Sequence, residues 1–503
     1  MKKLKANLSN LFKLSLFLTF FFGINACRKQ EDSINYDLVF VALSENNNLL
    51  TVNANNPFSP LRKVDFTGLA SGEKIVGIDY RPATGQLYGI GSSSRLYVIN
   101  PETGAARALG TGAFTPALNG SVVGFDFNPT VDRIRVVTNS GQNLRLNPET
   151  GTVAATDGSL NPGTPSVSEV AYTNNRAGVT TTTLYDIDVA SDKLFIQNPP
   201  NNGSLVEVGS LGVNAEGAAG FDITDNDLGL AALTVGGQSE LYVVNLTTGR
   251  VLKLGNFPFD TKIIGLAVST QAVAYAIEGM NTLQIFNPYD PQPIAKTITG
   301  LQTGESILGI DMRPANGQLY ALGSSSRLYT LNMASGAATV VGSPFATVLN
   351  GTSFGFDFNP TVDRIRIVSN TGQNLRVHPE TAAIASVDGN LNPGTPSVSA
   401  AAYTNNFAGA TATTLFVLDA ANKKLFIQNP PNNGTLQNVA ELNNAFSSAN
   451  GFDIGGTSGK AFAILSDDGG TALYQINVQN GQLNAGKNLN FTNARGFAIG
   501  LGF

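Results

Sequence analysis

The chain has no tryptophan, one cysteine and one histidine in 503 residues, and only 13% of its residues are charged. Each shortage excludes something. A lone cysteine forbids intramolecular disulfides, so stability must come from packing. The lone histidine, His378, leaves no histidine metal cluster, and with a single cysteine no cysteine nucleophile paired to a base in each half of the chain. The missing tryptophan removes the best stacking platform for sugars, although 13 tyrosines remain. No segment sustains a helical period. Short alternating or apolar runs recur instead, bounded by Asn, Gly, Asp and Pro.

What the chain does have is a long passage written twice. Gly124 to Arg135 returns letter for letter as Gly355 to Arg366, and Lys193 to Gly203 returns as Lys424 to Gly434. Repetition on this scale decides the architecture before any single residue is weighed. His378 stands where the first copy has Asn147, and a general base present in only one copy is a poor basis for catalysis.

Residues 1–26 read as a lipoprotein signal peptide. Lys2, Lys3, Lys5 and Lys13 make a basic start, and the apolar core from Leu14 to Phe22 is too short to span a bilayer, which takes about 20 residues. Ile24-Asn25-Ala26-Cys27 resembles a bacterial lipobox, which makes Cys27 the lipidation site. An acyl chain adds about 0.8 kcal/mol of membrane affinity per buried methylene. Residues 27–37 form a tether, and its Arg28-Lys29-Gln30-Glu31-Asp32 is similar to the signal that sends lipoproteins to the surface of Bacteroidetes-type bacteria. The expected location is the cell envelope, as an outer-membrane lipoprotein, with surface display favoured over the periplasmic side. Setting aside the four leader lysines leaves 27 basic against 36 acidic side chains. That excess, without a basic cluster, argues against nucleic acid as a partner.

From Lys74 to about Phe257 the chain reads as four units of about 45 residues, each with four short strands, which is the content of one propeller blade. In the first, the strands are Ile75–Asp79, Gln86–Ile90, Arg95–Ile99 and Ala105–Leu109. Asn100-Pro-Glu-Thr-Gly104 is a turn with a mechanism, because proline presets φ and glycine takes a left-handed conformation cheaply. Before these units Leu38 to Phe66 supplies three strands, and after them Lys262–Val268 supplies one. That is the three-plus-one arrangement by which chain ends close a ring and hide sheet edges. The chain is therefore all-β: a β-propeller of about ten four-stranded blades in two five-blade repeats, 38–271 and 272–503. Ser269-Thr270-Gln271 is short enough for a hairpin within one sheet, which favours a single ten-bladed ring over two five-bladed propellers.

Candidate chemistry lies in three places. Gly-apolar-Asp recurs on the innermost strands, with aspartates at 79, 126, 222, 311, 357 and 453. These either collect a cation, calcium by choice, or bond to backbone amides or an arginine of the next blade. Asp126 with Arg135, repeated as Asp357 with Arg366, reads as an anion site or as interblade ion-pair packing, in which Asp126 and Asp132 pair with Arg133 and Arg135. The loops carrying Asn198, Asn201 and Asn202, repeated as Asn429, Asn432 and Asn433, read as a binding surface or as turn geometry.

Gly77 to Tyr88, Gly124 to Arg135 and Ala171 to Asn175 resemble a bacterial family catalogued as domain of unknown function 4394, with one copy over about 38–268 and another over about 272–503. The resemblance implies an exported, propeller-like protein and lends no established activity or catalytic residue. The function expected is a lipid-anchored envelope propeller that binds a small ligand or protein partner without catalysis or an obligatory cofactor. The alternatives are a carboxylate- or calcium-dependent hydrolase or lyase, and a structural assembly module.

Overall fold

A computed structural model describes residues 36–443, 446–467 and 470–503, so Cys27 and the signal peptide lie outside the described residues. The described chain forms ten four-stranded antiparallel sheets. The first complete blade is Ile75–Tyr80, Leu87–Gly91, Leu96–Ile99 and Ala106–Leu109. Its last hairpin turns as the sequence dictates. The Asn100 carbonyl accepts the Gly104 N–H at 2.9 Å, the Asn100 side chain accepts the Glu102 N–H at 2.8 Å, and Gly104 has φ 73°. His378 performs the same task in the second repeat. Its Nδ1 accepts the Glu380 N–H at 3.2 Å, as Asn147 does for Glu149 at 2.8 Å.

The blades form two closed rings of five, and the expectation of one ten-bladed ring is overturned. Val39–Ser44 pairs with Ile263–Val268 of its own repeat, Phe40 opposite Val268. Ala274–Glu278 pairs with Ala494–Ile499, Ala274 opposite Ile499. The innermost strands of the first ring are Ile75–Tyr80, Val123–Asn128, Val167–Tyr172, Glu216–Ile223 and Ile263–Val268, and the last of these lies against the first. Those of the second ring are Ile307–Arg313, Phe354–Asn359, Val398–Tyr403, Ser448–Ile454 and Ala494–Ile499, closed in the same way. Residues 269–271 are therefore not a hairpin. The strands on either side of them belong to different sheets, and so few residues suffice because the rings touch where the chain crosses. Val273, Tyr275 and Ala83 share one apolar cluster, and the Tyr275 hydroxyl donates to the Ala83 carbonyl at 2.9 Å.

Between blades the sheets pack face to face. Tyr88 and Ile90 of one blade meet Phe125, Phe127, Ile134 and Val136 of the next, each such buried side chain contributing about 1.5–3 kcal/mol. At the centre, glycine sets how closely the inner strands approach. A Cβ on Gly77 would come within 2.8 Å of the Phe125 Cβ, and one on Gly451 within 2.5 Å of the Phe497 Cβ.

A buried ion cluster joins the rings. Arg81, fully buried, donates through Nε to Asp132 at 2.8 Å, through Nη2 to Asp132 and Glu149, and through Nη1 to the Gly317 carbonyl of the second ring at 3.3 Å. The second-ring counterpart, Arg313 with Asp363 and Glu380, is open to solvent, Glu380 being 64% exposed.

Candidate functional site

Six of the ten inner strands carry an aspartate two residues after their glycine, and in each ring the three aspartates converge. A carboxylate oxygen from each of Asp79, Asp126 and Asp222 lies within 4.8 Å of the others, and Asp311, Asp357 and Asp453 do the same. Each aspartate also accepts a backbone N–H from the next inner strand. In the first ring the donors are Phe127 at 2.8 Å, Tyr172 at 3.1 Å and Val268 at 2.6 Å. In the second they are Phe358 at 2.7 Å, Tyr403 at 2.9 Å and Ile499 at 2.6 Å. These side chains thus tie blade to blade while sharing a centre. All six are almost wholly buried. Burial pushes the carboxyls of Asp222 and Asp453 up to about 7, against the pull of the amides that bond to them. It raises the other four as well, and neighbouring aspartates add to the effect.

In the second ring the channel above this centre can be followed outward. Gly309, Gly355, Gly451 and Gly496 surround a neck with a free space of about 10 Å³, about one water molecule. Phe354 borders both the neck and a wider mouth of about 370 Å³. The mouth is lined by Ser353, Ser399, Ser448, Asn450, Asp467 and Arg495, among others. Arg495 is exposed, whereas Ser399 is 7% exposed and its Oγ has no hydrogen-bond partner among the described residues. In the first ring Glu169 takes the position that Ala400 holds in the second. Its Oε1 accepts the N–H groups of Phe125 at 2.9 Å and Val170 at 3.1 Å, and burial raises its carboxyl well above the usual range.

Asp126 and Asp357, named from sequence, are thus at the ring centres, whereas the arginines and loop asparagines named with them sit elsewhere. Arg135 is 2% exposed and does not pair with Asp126 or Asp132. Its Nη1 donates to Asp157 at 2.7 Å and Asn143 at 2.6 Å, and its Nη2 to Asn201 at 2.9 Å. Asp132 belongs to Arg81 instead, and Arg133 reaches Glu149 at 3.9 Å. Arg366 repeats the arrangement with Asp388 at 2.5 Å, Asn374 at 2.8 Å and Asn432 at 2.8 Å. Burial opposes ionisation of Asp388, but bonds from Arg376, Ser386 and Arg366 outweigh it and hold its carboxyl below the ordinary value. The structure therefore brings Arg135 together with Asn201, and Arg366 with Asn432, as clamps between neighbouring blades. The loop glycines explain why the wording repeats. Gly203 has φ 68°, and a Cβ there would lie 2.4 Å from the carbonyl oxygens of Gly158 and Ser159. Asn198, Asn202, Asn429 and Asn433 are exposed on these loops.

The family model described as Domain of unknown function (DUF4394) matches residues 48–267 and 282–498. The chain belongs to the DUF4394 family. Each DUF4394 segment falls within one ring. No curated protein matches the sequence significantly. Two solved structures are similar at 14% identity and a TM-score of 0.27. One is the extracellular domain of the hybrid two-component system BT4673 of B. thetaiotaomicron, with 89% of this chain and 64% of that one covered. The other is PorZ, a surface component of the type-IX secretion system of Porphyromonas gingivalis, with 88% and 58% covered. This chain thus spans less than two thirds of either, and scores so low carry nothing further to it. Among the described residues no helix is long and apolar enough to cross a membrane.

Proposed function

We propose that this DUF4394 protein is a lipid-anchored binding module of the cell envelope that captures a ligand or protein partner and performs no reaction on it. The observation that carries this reading is the mouth of the second ring. A cavity of about 370 Å³ is of the size that small-molecule sites have, and its wall combines hydroxyls, an amide and a guanidinium. The groups best suited to acid–base chemistry are the ring-centre aspartates. They are buried, in the second ring beneath a neck the size of one water, and are engaged by main-chain amides, which supports binding over turnover. Anchoring rests on the lipobox at Cys27. Thermal-shift screening of the whole mature chain against metabolites, sugars and peptides, with Ser399→Trp as a variant with the cavity filled, tests the binding role. Ligands that raise the melting point of the parent but not of the filled variant are expected. A screen in which no compound separates the two overturns it. Fractionation of cells carrying Cys27→Ser tests the anchor, the expected result being release from the membrane.

A second reading, in which calcium sits among the ring-centre carboxylates, is favoured by their convergence and by the Oδ2 of Asp357, which is buried and has no hydrogen-bond partner among the described residues. Three oxygens at most 4.8 Å apart leave a centre no more than about 2.8 Å from each, near the 2.3–2.6 Å that calcium takes. Melting with calcium against chelator decides it, an unchanged midpoint excluding the ion.

A further inference from the structure

The two repeats can be compared position by position, because Gly124–Arg135 lies on Gly355–Arg366 in sequence. Around the channel mouth four of their differences share one direction. Where the second ring presents Ser353, Ser448, Asn450 and Arg495 to one cavity, the first has Val122, Gly217, Ala219 and Ile264. Four positions, three on two inner strands and one on the approach to a third, have all become polar in the second ring and line the same space. Unselected drift between two copies gives no reason for such convergence.

Ser399 supplies a second line of argument. It is a serine in both copies. In the first ring the corresponding Ser168 hydroxyl donates to the Ile187 carbonyl at 3.1 Å. In the second ring the Ser399 Oγ has no partner among the described residues, although the residue is 7% exposed and lines the mouth. A buried hydroxyl without a partner costs about 1–3 kcal/mol, and a small rotation of this side chain towards the mouth would let a ligand hydroxyl or carboxylate supply one.

We infer that the mouth of the second ring binds a small, hydroxyl-rich carboxylate of the size and chemistry of one acidic sugar residue. This rests on the binding role proposed above and names the ligand class for it. The Arg495 guanidinium offers a planar donor pair that matches a carboxylate. Ser353, Ser399, Ser448 and Asn450 supply donors and acceptors for hydroxyls, and Asp467 adds an acceptor at the same wall. The ring of Phe354, the only aromatic among the described residues of the lining, is 7% exposed, so the ligand is held by hydrogen bonds and charge rather than by stacking. A neutral sugar leaves Arg495 unmatched, and a cation opposes it.

Calorimetric titration of the mature chain with glucuronic acid, with a disaccharide ending in glucuronate, and with glucose tests this. Binding of both acids is expected, with Arg495→Ile weakening them at least about tenfold, as loss of a charge-assisted bond does, and leaving the response to glucose unchanged. Arg495 is exposed, so this variant keeps the fold. Ser399→Ala is expected to weaken both acids. Tighter binding of the disaccharide identifies a polysaccharide end as the source, and equal binding identifies the free acid. Equal affinity of parent and Arg495→Ile for glucuronate, or no acid bound at up to about 10 mM, overturns the ligand class. The binding role itself survives that result only if the thermal-shift screen still yields a neutral or cationic ligand lost in Ser399→Trp. If it yields none, both readings fall.

Discussion

Replacing Asp186 by valine should stabilise the protein, and by more as the pH rises. Asp186 lies on Leu184–Asp188, opposite Val170 on one neighbouring strand and Phe195 on the other. It is fully buried, and neither carboxylate oxygen has a hydrogen-bond partner among the described residues. Burial pushes its carboxyl well above the ordinary range, with the Arg135 guanidinium pulling weakly the other way. The corresponding residue of the second repeat is Val417, fully buried beside Val368, Leu391 and Val398, so the surrounding architecture already accepts valine.

Two contributions set the magnitude. An aspartate that stays neutral in the folded chain must take up a proton that the unfolded chain, with a value near 3.9, has released. At pH 7 that costs at most about 4 kcal/mol, and at pH 4.5 under about 1 kcal/mol. The orphaned polar group adds about 1–3 kcal/mol at any pH. The sign follows from the raised value: the stability tied to this proton is complete below about pH 4 and is lost as pH climbs towards the folded-state value. Valine carries no proton, so its advantage should grow across that window. Asp186→Asn should recover the pH-dependent part alone. With no tryptophan in the chain, urea denaturation followed by circular dichroism at about pH 4.5 and about pH 7 is the suitable assay. A variant less stable than the parent at both values, or a gain that does not change with pH, would refute the reasoning.

The aspartates at the ring centres give the same sign on a second footing. With Asp222 and Asp453 raised to about 7, denaturation midpoints of the calcium-free protein should fall from about pH 5 to pH 7, and a midpoint that rises over this range would count against neutral carboxyls. Arg81→Met should cost about 3–5 kcal/mol, because it strands Asp132 and Glu149 in a buried site, whereas Arg313→Met should cost about 1 kcal/mol or less, since Asp363 and Glu380 keep access to water. Equal losses in urea would sink the distinction. Asn201→Ala removes an acceptor from the Arg135 guanidinium and should cost about 1–2 kcal/mol, while Asn202→Ala, whose side chain faces solvent, should stay within about 0.5 kcal/mol. The same melts read both.

Strand positions were legible because their limits are local. Asn100 to Gly104 and its equivalents impose turns whatever surrounds them, and the strands between begin and end within a residue or two of where alternation and turn chemistry put them. Ring closure is not local. Residues 269–271 suit a hairpin as well as a crossing between touching rings, and what decides is the partner of Val39–Ser44, over 200 residues away. The same limit explains the ion pairs. Asp132 is adjacent in sequence to Arg133 but is claimed by Arg81 from the preceding blade, and Arg135 is satisfied by Asp157 and by Asn201 of the following one. No periodicity in the chain announces those partners. The recurrent Gly-apolar-Asp was visible, but the meeting of three aspartates from the first, second and fourth inner strands depends on ring closure, which no single strand shows.

Identity between the copies first suggests a surface used twice, and the geometry gives it another cause. Letter-for-letter repetition falls where Arg135 meets Asn201 and Arg366 meets Asn432, and where a Cβ on Gly203 would strike two carbonyls. Few other residues satisfy such a clamp, so each ring keeps it for its own integrity. Binding needs no such agreement. One ring can lose or gain a site without strain on the other, provided its blades still close. The informative positions are then those where the scaffold is the same and the side chain is not: Ile264 against Arg495, Ala219 against Asn450, Val122 against Ser353, Glu169 against Ala400. Three of these put polarity into the second mouth, and the fourth removes a carboxylate from its neck. In a duplicated propeller, shared residues report what each ring needs to stay closed, and divergent ones at a common opening report what a single ring has come to hold.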